Sequence, residues 1–485
     1  VSDGTRQPVA TAASREATLQ LPRGRVLAVL LSATFMGQFD FFVVNVAAPS
    51  LRQALGAGDA ALELIVGGYA FAYAAALISG GRLGDLLGHR RVFVTGMLAF
   101  AVTSLLCGLA TSPGTLVAAR LAQGLAAAAM LPQVLALITA TFPPAERSRA
   151  LAWYGVAGGV GSVAGQVLGG LLVSSDLGGL GWRLIFLVNV PVGLVAALLA
   201  RRMLPAGGAR SRAAVDPLGA LGIAVTLALV LVPLTLGRTA GWPLWTWLSM
   251  ALAVPVGVVT IRWQHHLHRR GGTPVLDLTL VREPAFRAGL VANGAFMLYF
   301  ASFMFTLTLL LQAGLRLTPF TAGLAFAPAG IAFASSALAA RPLLHRYGTR
   351  VMLAGCALII TGLALLTAFM LGTGPTTSAV WVSVCAAIAS LGNGLVLPSL
   401  IGAALTKVQA HHAGAAAGVL TTAQQFASAA GVALLGTVFL ATTDAHPGTT
   451  GYSAGMVRSA ALDIALVLAV ALSVHLIRRV NRAER

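Results

Sequence analysis

VLAVLLSATFMGQFDFFVVNVAAPSL, Val26 to Leu51, is the stretch that decides the fold. It is long enough for a helix to cross a bilayer core, which takes about 20 apolar residues, and Asp40 is its one ionisable side chain. Asp40 sits about 21 Å from the Val26 end at 1.5 Å per residue, at or beyond the midplane. A charge at that depth costs about 2.5–3.5 kcal/mol on insertion scales. The side chain must therefore face protein or a water-filled cavity. The stripe Ala33, Gly37, Asp40, Val44, Ala47 places small residues beside the acid, and Gln38, Phe42, Asn45 and Pro49 form a second stripe. Two faces unlike lipid imply a helix enclosed by other helices. Burial penalises the ionised form of a carboxyl, so Asp40 is a candidate for proton uptake and release, or for recognising substrate charge. The alternative is a structural carboxylate locked to a neighbour such as an arginine.

The rest of the chain repeats this pattern. Its 485 residues are 57% hydrophobic and only 9% charged, with mean hydropathy +0.86, where soluble proteins carry about 25% charged residues. Fourteen apolar runs can be counted, starting near Val26, Leu62, Val92, Leu116, Ala150, Leu184, Pro217, Trp245, Ala288, Phe320, Val351, Ala379, Ala415 and Ala460. The expected fold class is an all-α membrane protein with 14 transmembrane helices, since a membrane β-barrel shows short alternating segments instead. The net charge of +18 could suggest nucleic acid, but the charges lie in short segments between apolar stretches. Of the 32 basic residues, 26 fall in the tails and alternate loops, five on the opposite side and one, Arg120, inside a span. Lys and Arg favour the cytoplasmic side, so both termini are expected in the cytoplasm of a multi-pass cell-membrane protein. No nucleic-acid partner is needed to explain the charge.

An internal repeat divides the chain. GRLGDLLGHRR (Gly81–Arg91) is echoed by RPLLHRYGTRV (Arg341–Val351), with Gly88 matching Gly348, and QGL at Gln123 is echoed by NGL at Asn393. The expected organisation is a cytoplasmic N-tail (1–24), an N-terminal six-helix bundle (25–200), a linker with two additional helices (201–287), a C-terminal six-helix bundle (288–478) and a C-tail (479–485). Paired halves with a site between them are the usual build of secondary transporters.

Arg120 lies in the fourth span on one face with Gln123 and Gly124. It could set the proton affinity of a carboxylate, or reach to the outer interface. Glu63 and Asp463 read as acids near outer span ends. GVAGGVGSVAGQVLGG (Gly155–Gly170) places Gly161, Gly165 and Gly169 at four-residue intervals, with Gln166 and Gly170 beside them. Such a face lets helices pack closely, either as a static contact or as a moving interface. Further polar residues in spans, Gln38, Asn45, Tyr69, Gln123, Asn293, Tyr299, Gln424 and Gln425, are candidates to line a substrate cavity. Cys107, Cys356 and Cys385 lack metal or disulfide spacing. His265, His266, His268, His411 and His412 have no supporting acids or thiols for a metal. No P-loop or nucleophile elbow is present, so neither an enzyme nor a cofactor is expected, and no metal.

These motifs resemble the major facilitator superfamily, and specifically its fourteen-helix drug:proton antiporters of the EmrB/QacA type. GRLGDLLGHRR resembles the loop signature between spans 2 and 3, RLAQG (Arg120–Gly124) the fourth-span motif, and FDFFVVNVAAPSL the first-span motif of that branch. GWRLIFLVNVPVG (Gly181–Gly193) and LLLQAGLRLTPFTAGLAFAP (Leu309–Pro328) resemble its signatures at span 6 and at the start of the second half. The resemblance implies the major facilitator fold, two six-helix bundles plus two inserted helices, working by alternating access. It implies a monomeric, proton-coupled exporter of hydrophobic or amphipathic, including cationic, drugs or antibiotics, whose partners are the small amphipathic substrate and the lipid bilayer. Asp40 and Arg120 are the implied proton-coupling pair. Gly81, Arg82, Asp85, Gly88, Arg90 and Arg91 are implied to gate the conformational change, with Gly81 and Gly88 allowing turns. Two departures are visible. Span 5 has Gly165-Gln166 where the branch usually has Gly-Pro, and Leu64 stands where it usually has Trp. The same fold could also carry one defined metabolite. A membrane enzyme acting on lipid-linked substrates is the remote alternative.

Overall fold

The computed structural model describes residues 23–204, 216–237, 240–272, 274, 283–374, 378–405, 413–445 and 449–483. Fourteen helical segments run in order: α1 (Arg23–Leu55), α2 (Asp59–Leu87), α3 (His89–Gly108), α4 (Pro113–Thr141), α5 (Pro144–Ser175), α6 (Gly181–Met203, entered through a 3-10 turn), α7 (Pro217–Leu236), α8 (Leu244–Arg269), α9 (Pro284–Leu309), α10 (Pro319–Tyr347), α11 (Arg350–Thr373), α12 (Ala379–Leu405), α13 (Ala413–Ala445) and α14 (Thr449–Ala483). Thirteen are long and apolar enough to cross a bilayer, and α2 makes a fourteenth, bent by 50° between Leu77 and Ser79. No strand occurs among the described residues. Arg23, Gly24 and residues 479–483, which the sequence reading places in tails, are helical. The expectations for His411 and His412 lie outside the described residues.

Helix ends follow local chemistry. The Ser112 hydroxyl accepts from Thr115 N–H at the start of α4, and Thr318 accepts from Thr321 N–H at the start of α10. Each cap satisfies a backbone donor left open by the first turn. Gly88, with φ 93°, turns α2 into α3, and Gly348, with φ 61°, turns α10 into α11. The matched glycines of the sequence repeat thus both make their turn with positive φ, which favours glycine. The QGL/NGL echo has a structural counterpart too. Gly124 of α4 lies against the Tyr69 carbonyl of α2, and Gly394 of α12 lies against the Phe333 carbonyl of α10.

Apolar burial separates into cores on either side of a central seam. Leu30, Phe93, Met130, Ile138, Phe186 and their neighbours fill α1–α6, and Phe296, Phe303, Phe326, Ile359, Val396 and Val470 fill α9–α14. Leu106, Leu125, Val195, Leu371 and Leu468 point outward, as lipid-facing side chains should. Along the seam α5 packs on α10. Gly170 lies against Pro319, Gly323 against Gln166 and Val167, Gly330 against Val163, and Gly159 against the Phe333 ring. α7 packs on α2 and on α13, bridging the two sets of helices, and α8 packs on α7. Asp216 ties this inserted pair together. It accepts from Trp263 Nε1 at 2.9 Å, Gln264 Nε2 at 2.6 Å and Gly219 N–H at 2.9 Å.

One boundary differs from the sequence reading. α14 begins at Thr449, about three turns before Ala460, because Thr449–Ser459 is rich in small and polar residues that pack against protein. Asp463 is therefore not interfacial. It is fully enclosed. α5 continues unbroken past Gln166, as expected without the proline.

Candidate functional site

Asp40 is wholly buried on the α1 face that turns into the first set of helices. Arg120 NH1 of α4 donates to Asp40 Oδ2. Asp40 Oδ1 accepts from Gln123 Nε2 at 2.9 Å and from Asn189 Nδ2 of α6 at 2.8 Å. Arg120 NH1 also donates to Gln123 Oε1 at 2.7 Å, and Arg120 Nε to the Ile65 carbonyl of α2 at 3.0 Å. Gln123 Nε2 reaches Ser104 Oγ of α3 at 2.6 Å. The guanidinium lies over the Tyr69 ring, 4.6 Å from its centroid, where cation–π attraction adds to the pair. The Tyr69 hydroxyl donates to the Gly37 carbonyl at 3.3 Å. The acid thus joins α1 to α4 and α6, and Gln123 and Asn189 extend the network to Ser104 of α3. This arrangement excludes the interfacial reading of Arg120. Asn189 and Ser104 are additions that the sequence reading did not single out.

A cavity of about 560 Å³ lies on the other side of α1, between the two sets of helices. Phe41, Phe42 and Asn45 form its α1 wall, Glu63 and Val66 its α2 wall, Phe305 and Thr308 its α9 wall with Gln312 in the turn just beyond, and Leu234 of α7 reaches it. Pro49, Arg52, Leu62, Pro319 and Tyr452 place it toward the helix ends remote from the arginine-rich loops. Its size and aromatic, sparsely polar lining suit a small organic molecule. Asp40 is next to this wall in sequence but faces away from it.

Of the residues proposed for a cavity, Asn45 lines this one. Gln123 and Tyr69 belong to the Asp40 network. Gln38 lies beside Gly158 and Gly161 of α5. Asn293 accepts from Gln424 Nε2 at 2.9 Å, which bridges α9 and α13. Tyr299 is buried within the second set of helices, and Gln425 is not in the lining. Leu64 is also absent from the lining, although its neighbours Leu62 and Glu63 are present. Gly161, Gly165 and Gly169 press against Phe35, Phe39 and Val43 of α1, whereas Gly170 faces α10. Buried Gln166 approaches Thr308 Oγ1 across the seam at 3.5 Å.

In the α2–α3 loop, Arg90 donates to the Arg201 carbonyl at the end of α6, and Arg82 NH2 to the Pro274 carbonyl at 2.6 Å. Asp85 lies 3.5 Å from His89 Nε2 and 3.9 Å from Arg82 NH1. Arg91 is exposed. Gly88 makes the turn. Gly81 instead lies inside α2 in ordinary contact with Pro132, while Gly80 and Gly84 meet α4 closely through the Ala128 carbonyl and the Gln133 side chain.

Two cored sets of membrane helices, meeting around a cavity with a buried ion pair behind its wall, define a membrane transporter rather than an enzyme. The chain belongs to the Major Facilitator Superfamily, whose sequence profile matches residues 30–432. It is 37% identical over 421 residues to the probable actinorhodin transporter of Streptomyces coelicolor, covering 86% of this chain and 72% of that one. It is 36% identical to a puromycin resistance protein of Streptomyces alboniger, covering 88% and 84% of the two chains. With the cephamycin export protein CmcT of Amycolatopsis lactamdurans the identity is 34%, over 87% and 86%. A similar solved structure is a bacterial homolog of the human lysosomal transporter Spinster, inward-facing and occupied, with TM-score 0.65, 16% identity and coverage of 94% and 97%.

Proposed function

We propose that this transporter exports amphipathic small molecules, antibiotics among them, from the cytoplasm in exchange for protons. It acts as a monomer with both termini in the cytoplasm. The observation that carries the reading is the Asp40–Arg120 pair, enclosed directly behind the Phe41–Phe42 wall of the cavity. The names of the relatives, an actinorhodin transporter and a cephamycin export protein, support the substrate class. Charge asymmetry supports the orientation.

The chemistry follows from the donors. Ionised Asp40 holds α1 to α4 and α6 through Arg120, Gln123 and Asn189. A proton arriving from outside neutralises the carboxylate and frees the guanidinium, which keeps the Ile65 carbonyl and Gln123 Oε1 as partners. α1 is then released to move its cavity wall. Loss of the proton to the cytoplasm restores the pair. Coupling needs only that the two conformations bind the proton with different affinity.

The test is transport in proteoliposomes under an imposed pH gradient. The wild type should accumulate substrate against its gradient, and Asp40→Asn should retain substrate counterflow while losing the response to the pH gradient. Gradient-independent accumulation by the wild type, or undiminished coupling in the variant, contradicts the scheme.

A further inference from the structure

Asp463 of α14 is a second acid completely enclosed by protein, and the exchange scheme makes no use of it. Its Oδ1 accepts from Ser302 Oγ of α9 at 2.7 Å, and its Oδ2 has no hydrogen-bond partner. Further buried polar groups lie on its own helix and on other helices of the same half. Ser459 Oγ is one turn earlier on the same helix. The Tyr299 hydroxyl of α9 is within electrostatic reach of Asp463 and of Cys356 on α11, and it faces the Asn393 amide of α12. No basic side chain pairs with Asp463 among the described residues. Arg287 and Arg350 lie at the arginine-loop ends of α9 and α11, and α13 has no titratable side chain before Asp444 at its far end. Arg458, five residues before Asp463, is exposed and donates to Thr442 Oγ1 at 3.3 Å.

This is the Asp40 site reworked in the other half of the repeat. There the first, third, fourth and sixth helices supply Asp40, Ser104, Gln123 and Asn189. Here the same helix positions supply Ser302 with Tyr299, Cys356, Asn393 and Asp463. Gln123 and Asn393 stand at matched positions of the repeat, yet Gln123 donates to the acid of its half, whereas Asn393 is set against Tyr299. The acid has moved to the sixth helix, and the arginine is replaced by Ser390. A carboxylate with one neutral donor and no counter-charge, removed from water, neutralises by taking up a proton.

We propose that Asp463 binds an exchangeable proton, forming a second proton site in the C-terminal helices. The step transfers one proton from hydronium to the carboxylate, breaking one hydronium O–H bond, leaving water and forming the O–H of the neutral acid. Ala301 and Phe305, on either side of Ser302, line the cavity, as does Tyr452 of α14. Movement of the α9 wall therefore moves the one donor to Asp463 and changes its hold on the proton. That link to transport rests on the exporter reading given above.

The site and the transport reading can be tested separately. Infrared difference spectra of purified full-length protein carrying Asp40→Asn, which takes away the first site's own band, should show between alkaline and mildly acidic buffer the carbonyl stretch of a protonated carboxylic acid. Asp463→Asn should remove that band, and Ser302→Ala, which keeps the acid, should shift its frequency and pH midpoint. In proteoliposomes Asp463→Asn should keep substrate counterflow and lose several-fold in gradient-driven accumulation. If the band persists in Asp463→Asn, or Ser302→Ala leaves it unmoved, the site is overturned. Wild-type accumulation in Asp463→Asn overturns its link to transport. If the band is lost only with Asp463→Asn while wild-type transport ignores the pH gradient, the proton site stands and the proton-coupled exporter reading is overturned instead.

Discussion

A lysine could not do what Arg120 does. Its guanidinium spans Asp40 and the Gln123 Oε1 with NH1, holds the Ile65 carbonyl with Nε at 3.0 Å, and lies flat over Tyr69. A single ammonium has neither the reach nor the plane. Removing one partner of such a pair leaves a buried charge uncompensated, which costs about 3–5 kcal/mol. Asp40→Asn is therefore expected to lower unfolding stability in detergent by that order, and Asp40→Asn/Arg120→Gln to lose much less than the two single changes summed. If the three variants add to within about 0.5 kcal/mol, the pair carries no coupling energy. At this scale the sequence disclosed the acid and the arginine, because a charge among apolar residues cannot pass unnoticed. Asn189 carried the same kind of signal, a lone amide in an apolar span, inside a motif read only as a signature. Ser104 gave none, since a hydroxyl in a helix can bond a carbonyl of its own preceding turn.

Among the elements, α5 packs on both helix sets through glycine, and its glycines are not equivalent. A Cβ at Gly165 would stand 2.8 Å from the Phe39 carbonyl oxygen and 3.1 Å from Val43 N, both backbone atoms of α1 that cannot swing aside. At Gly158 the nearest atoms are the Thr34 and Gln38 side chains, at 3.8 and 3.9 Å. Gly165→Ala should therefore destabilise by about 1–3 kcal/mol. Gly158→Ala should be neutral or stabilise by up to about 1 kcal/mol, because alanine is the better helix former. Denaturant unfolding of the two variants decides, and equal effects would contradict the packing described. The four-residue glycine repeat announced close packing, but not that Gly161, Gly165 and Gly169 serve α1 while Gly170 serves α10. The fourteen spans were legible for a simple reason, that hydrocarbon demands long apolar runs. The start of α14 was not, because Thr449–Ser459 meets protein rather than lipid. That shift also made Asp463 look interfacial. Cavity residues were harder still. A helix apolar on all sides gives no periodic signal of which face meets its own bundle and which meets the other, so Tyr69 and Tyr299 read like Asn45.

Across the whole molecule, exchange of access between the two sides requires the helix sets to separate where they now touch. The cavity lies toward the ends of α1, α2, α9 and α10 remote from the arginine loops. Nearer those loops Gly159 meets Phe333, and Gly155 meets Pro398 of α12. A Cβ at Gly155 would stand 3.6 Å from the Pro398 Cβ, within the span a disulfide bridges. Gly155→Cys/Pro398→Cys, built on a chain with Cys107, Cys356 and Cys385 replaced by alanine, should therefore cross-link the two sets on the loop side when oxidised. If transport depends on these sets rocking apart there, oxidation abolishes substrate flux in both gradient-driven and counterflow assays. A reductant then restores it in the same vesicles, and ligand binding from the remote side survives the cross-link, because the cavity itself is not touched. Full flux through quantitatively cross-linked protein would mean that substrate passes without separation of α5 from α12, and alternating access by rocking would have to be abandoned for this chain.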